Sequence, residues 1–190
     1  MKKILSKEEV EKKEKRNKTI LGVILVGIMV LSTAGYAFYK TGGGEEKNLE
    51  YNGLSFILQD DGFWHFIINS YEFATVYNPK DTENISSVLS LSIQNYSGKV
   101  LYFSNGSDLQ AANEIAKNIG RFTERVQRAC LEECEEDLPV KNCSDNIILM
   151  EEVNETLIKQ EGNCVYVMAK GEDMIRVADG FIFEVLGIRK

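Results

Sequence analysis

At 190 residues, with 22 basic against 29 acidic side chains and a net charge of −7, the chain has room for one membrane segment and one modest domain. A hydrophobic share of 44%, only 2 prolines and no repetitive tract exclude a wholly disordered chain or a fibrous repeat. With 1 histidine and no Walker loop, His-Glu-x-x-His, Gly-x-Ser-x-Gly, Gly-x-Gly-x-x-Gly or Cys-x-x-Cys, the sequence carries none of the common catalytic signatures.

Residues 1–18 read as a cytoplasmic basic tail, with eight Lys or Arg side chains against four glutamates. Thr19 to Tyr39 is a run of 21 residues without a charge. As a helix it reaches roughly 30 Å, the thickness of a bilayer core, and it predicts one transmembrane span. Lys40 and Lys47 are the basic residues that follow closely, so the asymmetry predicts a cytoplasmic N-terminus and a C-terminal domain outside the membrane. Tyr36, Tyr39 and Lys40 suit an interfacial anchor. Two readings rival the span. One is a cleaved secretory signal, with Gly35-Tyr36-Ala37 as its small-x-small site. The other is a pilin-type subunit, against which stand the missing glycine or alanine processing point after the basic run and the missing acid early in the apolar helix. Gly42-Gly43-Gly44 breaks the helix within a linker over residues 40–48.

The outer domain spans residues 49–190. From Glu45 onward the chain holds 13 basic and 25 acidic groups, a balance of −12, which argues against nucleic acid because phosphate binding needs clustered Lys and Arg. Leu54–Leu58 and Phe63–Ile68 predict a hairpin about Asp61-Gly62. Further strands are expected over Glu72–Tyr77, Val88–Ile93 and Lys99–Phe103.

After a cap at Ser107 or Asp108, apolar residues recur at spacings of three and four from Leu109 to Cys130 and predict one amphipathic helix ending near Cys134. A strand is expected over Asn146–Met150, a hairpin over Thr156–Gln160 and Cys164–Met168, and a buried closing helix from about Glu172 to Leu186 with Asp179-Gly180 interrupting its apolar run. The fold class expected is α+β: a mostly antiparallel sheet with two packed helices, preceded by one transmembrane helix.

Cys130, Cys134, Cys143 and Cys164 all fall on the outer side, so two disulfides are expected. Placing Cys130 and Cys134 on successive turns of one helix disfavours a bond between them. The expected pairs are Cys134 with Cys143 and Cys130 with Cys164. A four-cysteine zinc site would lack the usual Cys-x-x-Cys knuckle, and no metal or cofactor is expected.

On the expected long helix, Lys117, Arg121, Arg125 and Arg128 form a basic stripe, a candidate grip for an anionic glycan or lipid headgroup. Glu132, Glu133, Glu135, Glu136 and Asp137 crowd the C-terminal end of that helix, where the macrodipole disfavours anions. His65, between Trp64 and Phe66, has no catalytic partner in sequence. Asn84, Asn95, Asn105, Asn142 and Asn154 are each followed by x-Ser or x-Thr, the acceptor pattern for N-glycosylation.

The function these features support is a single-pass, membrane-anchored extracytoplasmic domain with a binding or structural role in the cell envelope. Its partner would be the membrane itself, an envelope protein, or an anionic glycan or lipid. The alternatives are an envelope enzyme with a carboxylate site around Asp60, Asp61 or Asp179, and a solute-binding module. Two carboxylates converging in a cleft would favour chemistry.

Overall fold

The computed structural model describes residues 7–41, 47–131, 134 and 136–189, and within the first helix the side chains of residues 11 and 15–31. The chain divides into two units, Met1–Glu46 and Lys47–Lys190.

The first unit is one helix, α1, over Lys7–Thr41. Its apolar side chains lie on every side of the axis, and Ile20, Leu21, Val23, Ile24, Leu25 and Val26 are all half or more exposed. Among the described residues, no helix is long and apolar enough to cross a membrane. The span expected from the sequence continues through residues 32–39, whose side chains lie outside the described set, as do Lys40 and the Gly42-Gly43-Gly44 break.

The second unit mixes helices with two sheets. The smaller sheet is an antiparallel meander of β1 (Asn48–Tyr51), β2 (Leu54–Leu58), β3 (Trp64–Ile68) and β4 (Tyr71–Thr75). Its tight turns fall at Asn52-Gly53 and Asn69-Ser70, where positive φ angles match the twist of paired strands. The strand alternation aims Phe56, Phe66 and Phe73 inward, where they pack with Phe183 and Ile188. Strand β1 takes up the last residue of the expected linker.

The larger sheet has the order β5-β9-β10-β8-β6-β7, built from Ser86–Val88, Leu157–Glu161, Cys164–Ala169, Ile147–Glu152, Val100–Ser104 and Arg125–Ala129. Only β9 with β10 is antiparallel; the other four pairings are parallel. This corrects the expectation of a mostly antiparallel arrangement. Local turn signals reveal hairpins, whereas parallel partners are joined through distant chain and leave no such mark.

Two other elements differ from expectation. The alternation in Val88–Ile93 does not make a strand: β5 ends at Val88, and Ser92 opens a single turn, α2 (Ile93–Tyr96), closed by the Asn95 side chain accepting from Ser92. The long helix stops early. Helix α3 covers Leu109–Ile119, a 3₁₀ turn follows at Gly120–Phe122, and Thr123 closes it by donating to the Gly120 carbonyl. Arg125–Ala129 then pairs with β6 as a strand, so tertiary pairing overrides a period that merely happened to persist.

Helices α3 and α4 (Met174–Val185) cover one face of the larger sheet. Ala111, Ile115 and Ile119 from the first, and Val177, Phe181 and Ile182 from the second, share a core with Leu101, Ile148 and Val165. On the other face Tyr102, Ile147, Leu149 and Cys164 cluster with Leu131 and Cys143. The apparent interruption at Asp179-Gly180 is a close contact. A Cβ on Gly180 would meet Ile85 Cδ1 at 3.0 Å, so a larger residue here would have to push the Ile85 side chain aside.

The disulfides join Cys143 to Cys164, with Cα atoms 4.8 Å apart, and Cys130 to Cys134, with Cα atoms 6.2 Å apart. The expected pairs, Cys134 with Cys143 and Cys130 with Cys164, are therefore exchanged. The objection to Cys130 with Cys134 assumed a helix, but β7 ends at Ala129 and Cys130 bridges to Val140 instead. Cys164 opens β10, and Asn163 donates to the Cys143 carbonyl at 2.8 Å, holding the two cysteines together.

One further device joins the two sheets. Among the described residues the outer edge of β4 has no strand partner, and α3 supplies hydrogen bonds to it from its side chains. Asn118 accepts from the Ala74 amide at 3.1 Å and donates to the Ala74 carbonyl at 2.9 Å. Arg121 donates to the Glu72 carbonyl at 2.8 Å.

Candidate functional site

A concavity lies at the carboxyl end of β6. From Ser104 the chain turns through Asn105 and Gly106, with φ of +83° at the glycine, into Asp108, whose side chain caps α3 by accepting from Ala111 at 2.8 Å. After α3 the chain returns to β7 at the sheet's edge, while β8 lies on the opposite side of β6 and parallel to it. A crevice opens on the β7 side, between β6, α3 and β7.

That crevice is a cavity of about 610 Å³. Phe103, Leu109, Ala112, Ala116 and Val126 form its apolar walls, and the small side chains of α3 leave the space open. Leu109 is 72% exposed and Val126 41%, so both leave apolar side chain uncovered at this site. A second cavity of about 370 Å³ shares Ser104 and Asn105 with the first and is bounded by Cys130, Cys134, Met150 and Glu151.

The polar groups of the cleft are largely satisfied internally. The Arg128 guanidinium donates to Asn105 Oδ1 and pairs with Glu136 at 3.3 Å, so its charge is balanced at the mouth. The Ser104 and Ser107 hydroxyls bond one another at 2.9 Å. Apolar contact and hydrogen bonding are what this arrangement offers a ligand.

The expected basic stripe does not form, because its members belong to different elements. Lys117 sits on α3 over the Phe63 ring at 4.2 Å, and Arg121 lies in the 3₁₀ turn with Phe73 beneath it and the Glu72 carbonyl as acceptor. Arg125 and Arg128 are on β7, paired with Glu124 at 2.9 Å and with Glu136. Of the acidic cluster, Glu132, Glu133 and Glu135 lie outside the described residues.

His65 has partners that the sequence did not disclose. Its Nε2 lies 2.9 Å from Asp61 and its Nδ1 3.0 Å from Glu72. The two carboxylates flank the ring from opposite nitrogens, so they do not converge on one point as metal ligands would. Among the described residues no group of three or more His, Cys, Asp or Glu side chains could hold a metal. Asp61 also accepts from the Phe63 amide at 3.0 Å; this bond, then His65, holds its carboxyl below the ordinary value. Asp60 is exposed in the same turn.

Asp179 converges with a residue that sequence reasoning missed, Glu114. Both are buried, Asp179 fully. Asp179 accepts from the Tyr77 amide at 2.8 Å, while its Oδ1 and Glu114 Oε1 have no other donor among the described residues. Burial raises both carboxyls above their ordinary values, and for Asp179 the neighbouring Glu114 charge adds to the effect. The pair closes the end of the meander against α3 and α4 and faces neither of the two cavities. A sequence signal did exist: Glu114 and Asn118 are polar residues at helical spacing beside Ile115 and Ile119, on the face that must be buried.

Comparison with protein-family models, with curated proteins and with solved structures finds no match.

Proposed function

We propose that the chain is a single-pass, membrane-tethered protein that presents residues 49–190 outside the cell as a binding domain. The observation carrying this reading is the uncharged run Thr19–Tyr39, set between a tail of net charge +4 and a stretch of −12 from Glu45 onward. Supporting it are the exposed apolar side chains around α1, which in water would be unfavourable and in lipid would be solvated. The pairing of all four cysteines fits an oxidising compartment.

Within the domain, the crevice at the end of β6 is the binding surface. Its apolar walls and internally balanced polar groups favour an uncharged ligand or ligand portion. Protease added to intact cells removes residues 49–190 while a tag at Met1 stays protected; protection of the C-terminal domain instead would overturn the reading.

A further inference from the structure

Five Asn-x-Ser/Thr sequences fall in the second unit, and the fold treats them differently. Asn105 is half-buried, with its carbonyl oxygen accepting from Arg128 inside the cleft, so a sugar there would fill the crevice. Asn95 is half-buried and closes α2 by accepting from the Ser92 amide at 2.9 Å. Asn84 is exposed but accepts from Arg176 at 2.9 Å. Asn142 is exposed, but it accepts from the Ser144 amide and its next residue, Cys143, is bonded to Cys164.

Asn154 alone is free of such ties. It is exposed, lies in the bend between β8 and β9, and makes no hydrogen bond through its side chain among the described residues. Glu155 is also exposed, and Thr156 supplies the hydroxyl of the pattern at the loop's end.

We infer that Asn154 is an N-glycosylation site, and that Asn95 and Asn105 are not. The inference rests on the outer location proposed above. The sugar donor is a saccharide carried as a lipid-linked diphosphate. The Asn154 side-chain nitrogen forms a bond to the anomeric carbon and gives up one proton. The anomeric carbon–oxygen bond breaks, and the lipid diphosphate leaves with that electron pair. No oxidant or reductant enters. The product places a hydrophilic chain on a loop whose backbone has no role in either cavity.

Asn17-Lys18-Thr19 provides an internal control, because the same pattern there lies in the tail expected inside the cell. Native protein isolated from its own membranes is digested and its peptides weighed, with the protease-accessibility measurement run on the same cells. The peptide containing Asn154 is heavier by at least one sugar residue, and Asn17, Asn95 and Asn105 have unmodified mass. Thr156→Ala abolishes the increment and Thr156→Ser retains it. An unmodified Asn154 in protein whose outer domain is protease-accessible overturns this inference and leaves the topology standing. A sugar on Asn17 overturns both.

Discussion

Glu114 on α3 and Asp179 on α4 turn two carboxyl groups toward one another in the interior, and Asp179 accepts the amide proton of Tyr77. Burial raises both, so over the range from ordinary carboxylate values up to the raised ones the native protein holds protons that the unfolded chain releases. The pair is fully compatible with folding below that range, and stability falls as pH rises through it. Asp179→Asn keeps an acceptor for Tyr77 and offers a donor to Glu114. Urea unfolding across pH 4 to 8 will show a flatter slope for this variant than for the wild type; an identical slope would mean that the raised Asp179 carboxyl does not set the pH dependence.

Asn118 provides both hydrogen bonds to Ala74 from a fully buried position. Asn118→Ala leaves a buried donor and acceptor without partners and will cost roughly 2–4 kcal/mol. Arg121→Gln removes an exposed contact to the Glu72 carbonyl and will cost less than about 1 kcal/mol. Denaturant midpoints at constant m-value measure both, and equal losses would contradict the difference in burial.

Peptide mapping without reduction will recover Cys143 linked to Cys164 and Cys130 linked to Cys134. The first closes a loop with a sequence separation of 21 residues and the second one of 4. On chain entropy their removal costs about 3 and about 2 kcal/mol respectively. Paired serine substitutions should therefore leave the protein lacking Cys143–Cys164 the less stable of the two by thermal melting.

An uncharged, environment-sensitive dye such as Nile red will brighten on binding the crevice at the end of β6. Ala116→Trp fills that space from α3 and will lower the signal several-fold with the melting temperature held within a few degrees. Unchanged fluorescence in the variant would place the dye elsewhere.

Much of the second unit was legible because its elements carry local signals. Asp61-Gly62 marked the β2–β3 turn, Asp108 marked the start of α3, and the apolar run of α4 marked its burial. The parallel pairings were not legible, since nothing in Val100–Ser104 or Ile147–Glu152 records which distant strand lies beside it. The end of α3 was hidden because Val126 and Ala129 continued the helical period by accident, and that error carried the basic stripe and the cysteine pairing with it. The cleft was equally unreadable: it arises from where α3 and β7 sit beside β6, which is a property of topology.

The side chains that α3 lays along β4 also bear on how this domain behaves when crowded. An open strand edge is a template on which another chain can build a sheet, and blocking it usually takes a charge, a proline or a bulge. Here Asn118 and Arg121 occupy positions that an incoming strand would need. A protein arrayed on a surface meets its own copies at high local concentration, and on this edge it offers them nothing to extend.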